Sequence, residues 1–269
     1  MGPLASLRVV EFAGIGPAPF CGMLLADMGA DVVLVERPET SNAGPAVPRE
    51  VDVSHRGKRS VALDLKADEG VRAALALVSR AEVLIEGFRP GGMERLGLGP
   101  GPCLAAHPRL VYGRVTGWGP AGPLAPRAGP DIDYLALSGA LHAIGRAGGP
   151  PQIPLHLVGD LGGGALHLAF GVLAAVLHAR QTGEGQVVDA AILDGVASML
   201  APIHALMGAG LWRDRRGVNL LDSGAPFYDV YGTSDGEFVA VGAIEPQFYA
   251  QLLAGLGLDA SALPGQWDV

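Results

Sequence analysis

The sequence predicts an α/β chain: a mostly parallel β-sheet covered by helices, followed by a smaller, incomplete second domain. Three observations carry this. Short apolar blocks alternate with helix-like blocks through the first 120 residues, the order that builds βαβ units. After Gly217 the texture changes to loops, one strand and one helix, with too little sequence left to complete a second domain. Of 269 residues, 49% are apolar and 17% charged, a globular composition with ample core.

The elements follow in order. Leu7 to Phe12 reads as a short buried strand and Pro17 to Met28 as a helix ended by Gly29. Asp31 to Glu36 is the second strand, and Ser41 to Pro48 a loop of small residues and proline. Ser60 to Leu65 alternates apolar and polar residues as a third strand. Ala67 to Arg80 is a helix with Asp68 and Glu69 in its first turn, where negative charge is favoured. Val83 to Glu86 and Leu110 to Thr116 are strands four and five. Leu161 to Arg180 is the longest helical segment; Gln186 to Ala191 reads as a strand, Glu237 to Ile244 as another, and Pro246 to Leu256 as the last helix. These elements divide the chain into a large domain over 1–190, a helical linker over 191–219 and a partial small domain over 220–269.

Charge and cysteine content exclude several classes. The chain has 19 basic and 27 acidic residues, a formal charge of −8, and no basic stripe, so no nucleic-acid partner is expected. Its two cysteines, Cys21 and Cys103, are far apart and form neither a disulfide framework nor a zinc motif; a reducing cytoplasm is the default. Residues 1–20 lack a signal pattern. The longest apolar run, Ala165 to Ala179, is broken by His167 and His178 and reads as too short for a bilayer, so no membrane partner is expected.

The chemistry centres on Leu157-Val-Gly-Asp-Leu-Gly-Gly-Gly164. Asp160 is expected in a glycine-rich turn before a long apolar helix, where unpaired backbone N–H groups stabilise a carboxylate. Gly159 and Gly162, Gly163 and Gly164 would let a ligand approach the backbone, and the amides of the last three are candidate donors to an oxyanion. Basic residues recur after strand ends: Arg37, Lys66 and Arg89 each follow one. In an open parallel sheet that is the ligand-binding end, so they converge on phosphates or are scattered solvated charge; spacing alone favours neither. Gly14-Ile-Gly-Pro-Ala-Pro19, with Glu36 closing the next strand, superficially resembles a dinucleotide-binding turn. Pro17 removes an N–H that a pyrophosphate would use, so a tight turn shaping a pocket is the better reading. His156, four residues before Asp160, has no companion at metal-ligand spacing, and no metal is expected. Glu245 closes a strand and either caps the helix starting at Pro246 or faces a site.

Several segments together resemble the α-methylacyl-CoA racemase branch of the CaiB/BaiF superfamily, the class III CoA-transferases. They are Leu7-Arg-Val-Val-Glu-Phe-Ala-Gly-Ile-Gly-Pro17, Leu25-Ala-Asp-Met-Gly-Ala-Asp-Val-Val33, Val83-Leu-Ile-Glu-Gly-Phe-Arg-Pro90, Glu94-Arg-Leu-Gly-Leu-Gly-Pro100, Thr116-Gly-Trp-Gly119, Gly183-Glu-Gly-Gln-Val-Val-Asp-Ala190 and Gly224-Ala-Pro-Phe-Tyr228. Ile244-Glu-Pro-Gln-Phe248 and the turn around Asp160 favour the racemase branch. The resemblance implies a Rossmann-like large domain, a smaller domain and an interlocked homodimer. It implies an acyl-CoA substrate of lipid metabolism, with coenzyme A arriving as part of the thioester and no separate cofactor. Carried over by motif, CoA contacts fall on Arg37, on Leu63, Asp64, Leu65 and Lys66, on Gly87, Phe88 and Arg89, on Arg95, and on Gly129, Pro130, Asp131, Ile132, Asp133 and Tyr134. The catalytic acid/base falls on Asp160 and a supporting acid on Glu245.

The sequence departs from the resembled pattern in two places. The racemase motif has a histidine where this chain has Pro130. Family chains also continue past residue 269 and return to complete the large domain, so this sequence reads as a fragment or one ended by a frameshift. Epimerisation at a 2-methyl centre needs two groups, one to remove the α-proton and one to return it. Proline can do neither, so an impaired racemase is expected, with His156 the candidate substitute and Asp131 a weaker one. The alternatives are a class III CoA-transferase with Asp160 as nucleophile, or a truncated acyl-CoA binder.

Overall fold

A computed structural model describes residues 2–38 and 48–268. The loop expected at Ser41 to Pro48 therefore lies, apart from Pro48, outside the described residues. In chain order the elements are β1 (Arg8–Phe12), α1 (Pro17–Asp27), β2 (Asp31–Glu36), β3 (Lys58–Ala62), α2 (Asp68–Val78), β4 (Val83–Glu86), α3 (Gly92–Arg95), α4 (Pro100–Ala106), β5 (Val111–Thr116), α5 (Asp131–Ser138) and α6 (Ala140–Ala143). A π-helix (Leu157–Leu166) runs directly into α7 (His167–Thr182). After it come β6 (Gln186–Ala191), α8 (Ile192–Met199), α9 (Ala201–Gly208), β7 (Tyr228–Gly232), β8 (Phe238–Gly242) and α10 (Pro246–Gly255).

The chain forms two compact units: Met1–Ser138 with Leu155–Met199, and Gly139–Pro154 with Leu200–Val269. The first holds a six-stranded sheet in the order β3-β2-β1-β4-β5-β6, every pair parallel. β1 and β4 are neighbours, which marks the point where chain progression reverses and a crevice opens beyond the strand ends. The central strands are apolar because both faces are covered: β4 and β5 are buried throughout, whereas the edge strands β3 and β6 carry polar, exposed residues. Under α2 and α4 the core comprises Val10, Phe12, Val35, Ala74, Val78, Leu84, Met93, Leu98, Leu110 and Tyr112. Burial of each large side chain is worth about 1.5–3 kcal/mol.

Three expectations are corrected. The third strand is Lys58–Ala62 rather than Ser60 to Leu65, because β2 offers partners only from Val32 to Glu36, matched to Lys58 through Ala62. Leu63 to Lys66 thereby becomes a loop at the carboxyl end of the sheet, pinned by the Leu63 N–H donating to the Glu36 carbonyl at 2.9 Å. The domain boundaries also move. α8 belongs to the sheet unit because Gly195 lies against Gly163, where a Cβ would come within 2.0 Å of the Gly163 oxygen. Residues 139–154, placed in the large domain from sequence, fold with the second unit instead.

The long helical segment is also longer than expected. Leu157–Thr182 is continuous over 26 residues, long and apolar enough by length and composition to cross a membrane. Its α7 part buries Leu168, Ala169, Val172, Ala175, Val176 and Ala179 and packs on β5 and β6. Phe170 and Leu177 are exposed on it, as are His167 and His178.

The second unit holds a β7–β8 antiparallel pair, the helices α6, α9 and α10, and loops. Its core is small: Ala225, Phe227 and Ala243, with Leu220, Tyr228, Tyr249 and Leu252 against them. Phe227 makes edge contacts to Tyr249 and Trp267, with ring centroids 5.3 and 5.9 Å apart.

Candidate active site

A cleft of about 520 Å³ opens in the first unit at the carboxyl ends of β1, β4 and β5. Three turns frame it: Ile15-Gly-Pro17 after β1, Gly87 to Pro90 after β4, and Thr116 to Gly119 after β5. Gly129, Pro130, Asp131 and Tyr134 at the head of α5, and Asp160 of the π-helix, complete the wall.

Asp160 lies inside the first turn of the π-helix rather than in a loop ahead of a helix. It is half-buried. Burial, then the nearby Asp131 charge, push its carboxyl up to about 6, against a lowering pull from His156. Gly16 has a left-handed φ of +73°, and a Cβ there would lie 3.2 Å from Asp160 Oδ2. The β1–α1 turn is thus glycine where it meets the carboxylate and proline where α1 begins. Glu36, which closes β2, is held by Arg49 at 3.0 and 3.1 Å.

The glycine run does something other than expected. π-Helical bonding ties each amide to the carbonyl five residues back, and Leu161 N donates to the His156 carbonyl at 3.1 Å. Gly162, Gly163 and Gly164 follow within the same helix. They serve close packing. A Cβ at Gly163 would sit 2.7 Å from Val196 Cγ2, one at Gly164 2.9 Å from Pro17 Cβ, and one at Gly162 3.2 Å from Met199 Cε. Gly159 is likewise crowded by the Asp131 carboxylate.

An aromatic wall faces Asp160. Trp118 and Tyr134 meet edge to face at 4.6 Å, and the Tyr134 hydroxyl donates to the Gly129 carbonyl. Gly117 and Gly129 are glycine because a Cβ would strike Tyr134 at 2.1 Å and Trp118 at 2.6 Å. Trp118 Nε1 is buried without a partner among the described residues. Beneath the β4 turn, Glu86 Oε2 accepts the Phe88 N–H at 2.7 Å. Arg114 bridges Glu86 (3.2 Å) and Glu94 (2.7 Å), tying α3 to the sheet.

The structure thus brings together Gly87, Phe88, Arg89, Gly129, Pro130, Asp131, Tyr134 and Asp160. Arg37 and the loop Leu63 to Lys66 follow β2 and β3 at the same end of the sheet, but they do not line this cleft, and neither do Arg95, Ile132 and Asp133. Pro130 lines it, whereas His156 is exposed and is not among the lining residues, although its charge acts on Asp160. Arg127, Trp118 and the Gly16 turn line it too; the contact between Gly16 and Asp160 joins residues 144 apart in sequence and is invisible to spacing. Glu245 stands in the second unit at the N-cap of α10. Its carbonyl accepts the Phe248 and Tyr249 N–H groups at 2.9 Å, and its side chain makes no capping bond, which corrects the capping alternative. Among the described residues no group of three or more His, Cys, Asp or Glu could hold a metal.

Comparison with known proteins places this geometry. The model of CoA-transferase family III matches residues 4–267. α-Methylacyl-CoA racemase of Mus musculus is 49% identical over 263 residues, covering 98% of this chain and 67% of the relative. The Homo sapiens α-methylacyl-CoA racemase is 48% identical over 268 residues, covering 99% and 68%. This chain thus spans about two thirds of the length of both relatives. The crystal structure of a CaiB/BaiF family protein from Brucella suis superposes with a TM-score of 0.80 at 31% identity, covering 96% of this chain and 70% of that one.

Proposed function

This chain belongs to CoA-transferase family III, and from that membership we propose that it is an α-methylacyl-CoA racemase-type isomerase. Its substrate is a 2-methylacyl-CoA thioester. The observation that carries the reading is Asp160: a half-buried carboxyl raised to about 6, set in a cleft at the sheet's switch point that Arg89 also lines. A base needs ionised carboxylate at neutral pH and enough basicity to take a weakly acidic proton, and a pKa near 6 serves both. Asp160 removes the α-proton, the thioester becomes an enolate, and proton return completes exchange at that carbon. Arg89 suits a phosphate of coenzyme A, and Arg37 and Lys66, after β2 and β3, suit its more distant phosphates.

Pro130 limits the reaction. It lines the cleft where the resembled motif carries histidine, and no histidine is among the described residues lining it. Loss of one acid/base group costs about 10²–10⁴-fold, so inversion is impaired while Asp160-driven exchange persists. The reading extends to a cytoplasmic homodimer in lipid metabolism that needs no cofactor beyond the CoA of its substrate, with Glu245 as a supporting acid. Buried, unpaired Cys21 and Cys103 support a reducing compartment. The test is α-deuterium incorporation into 2-methylacyl-CoA in D₂O. The unaltered chain exchanges slowly, Asp160→Asn does not, and Pro130→His gains rate; no exchange in either the unaltered chain or Pro130→His sinks the reading.

Pro130 also favours a second reading, CoA transfer, in which Asp160 attacks the thioester carbonyl, expels CoA thiolate and forms a mixed anhydride. No histidine is needed there. Hydroxylamine trapping at Asp160 together with CoA exchange between two acids would select it.

A further inference from the structure

We propose that Asp131 is the positioning residue of the site: its carboxylate holds the first turn of the π-helix by the Asp160 amide and sets a second negative charge beside the reacting carboxylate. The inference rests on the reading of Asp160 as the base. It goes beyond the motif, which suggested for Asp131 only a contact to the ligand or a weak substitute for the missing histidine.

Geometry carries the argument. A helix start leaves its first amides without intrahelical partners. His156, at the N-cap of the π-helix, makes no side-chain capping bond. The cap comes from another helix instead: Asp131 Oδ1 accepts the Asp160 N–H at 2.6 Å. The seat is shaped for it, since a Cβ at Gly159 would lie 2.1 Å from Asp131 Oδ1 and 2.7 Å from its Cγ. Any residue but glycine at 159 would evict the carboxylate. Asp131 also opens α5, so it sits at the N-terminal ends of two helices, both of which favour negative charge. Its other oxygen, Oδ2, is buried and has no hydrogen-bond partner among the described residues. One oxygen therefore fixes the backbone of the reacting residue, and the unneutralised remainder of the charge acts on its side chain.

The surroundings leave Asp131 as the principal charge acting on Asp160. α5 also presents Tyr134, the turn after β4 presents Arg89, and the π-helix itself presents His156. α1 contributes Pro17, and α8 packs on the π-helix through Ile192, Gly195 and Val196. On the other elements packed there, Arg114 of β5 pairs with Glu86 and Glu94, Asp189 of β6 bonds Thr116, Asp194 of α8 acts on Asp189, and Arg180 of α7 pairs with Glu82. Burial and Asp131 are the two influences raising Asp160.

The test uses the full chain without substrate, so its failure is distinct from failure of the racemase reading. Carboxyl-¹³C NMR follows Asp160 ionisation, and amide hydrogen exchange follows its backbone. In the unaltered chain Asp160 titrates near 6. Asp131→Asn keeps an oxygen acceptor and removes the charge; the Asp160 midpoint falls by about one unit while its amide stays protected. Asp131→Ala removes both, and amide exchange at Asp160 accelerates about tenfold. Where exchange of the substrate α-proton is measurable, the acid limb of kcat/KM moves with the midpoint in Asp131→Asn. The proposal is overturned by an unaltered chain whose Asp160 titrates near 4, by an Asp131→Asn midpoint that does not move, or by an Asp131→Ala amide as protected as before. The first of these needs no variant to fold.

Discussion

Asp160 is held in an environment that costs the fold something. Its carboxyl is raised from 3.8 to about 6 by burial and by Asp131, so the folded chain binds that proton more tightly than the unfolded chain does. The associated stability is fully present below pH 3.8 and is lost as pH rises through about 6. Asp160→Asn removes the titration. We expect it to raise stability at pH 7.5 by about 1 kcal/mol once solvent screening is allowed for, and the gain to vanish below pH 4. Denaturant unfolding at the two pH values measures this; a variant less stable at pH 7.5 would mean that Asp160 is not strained. The same ionisation sets activity. kcat/KM for α-proton exchange should rise with pH through about 6 and then level off. Gly16 is the second residue on which the site turns. Gly16→Ala would place a Cβ 3.2 Å from Asp160 Oδ2 on a backbone with φ +73°. We expect a loss of about 1 kcal/mol in stability and a larger relative loss of exchange rate, read by parallel melting and D₂O assays.

At the scale of elements, the site is a product of how tightly helices approach one another. The π-helix seats its glycines against α8 and Pro17. Gly163→Ala would force a methyl to within 2.8 Å of the Ile192 carbonyl oxygen and 2.7 Å of Val196 Cγ2. The expected cost is about 1–3 kcal/mol, with loss of exchange activity because the turn bearing Asp160 moves; a variant with unchanged melting would remove the packing role. This element also shows where sequence reading succeeds and where it stops. Apolar blocks place β1, β2, β4 and β5, because a parallel strand covered on both faces must be apolar; the edge strand β6 is found by its position between turn residues instead. The end of β3 is misplaced because its limits are set by β2, not by its own residues. Asp160 and its glycines stand out as a motif, yet the motif does not say that the glycines pack or that the helix starts at Leu157. Nor can it show that Asp131, 29 residues earlier, caps that helix. Such pairings are fixed by tertiary approach, and local pattern carries no record of them.

The two units of the molecule are built to different strengths. The sheet unit buries its central strands, and its core spans four strands (β1, β2, β4 and β5), α2 and α4. Beneath its β4 turn, Glu86 and Arg114 are both buried, with the Glu86 carboxyl pushed up to about 7 chiefly by burial. The second unit rests on Ala225, Phe227 and Ala243. Its β7–β8 pair leaves Phe238 at 75% and Val239 at 47% exposure, and a two-stranded pair is marginal without a face to pack on. The opening free energy of native-state hydrogen exchange follows buried apolar area. Amides of β7, β8 and α10 should therefore exchange through a lower-energy opening than those of β1, β4 and β5. Phe227→Ala should widen the gap: it removes the largest side chain from the smaller core, at an expected cost of about 3–5 kcal/mol to that unit. Protection of the sheet, and Asp160 ionisation within it, should be unchanged, since no cluster residue of the sheet core is altered. Uniform loss of protection across both units in Phe227→Ala would instead show that the chain unfolds as one cooperative body. In that case the sheet unit would depend on the second unit for its stability, and the strength of the sheet core alone would not account for a stable Asp160 cleft.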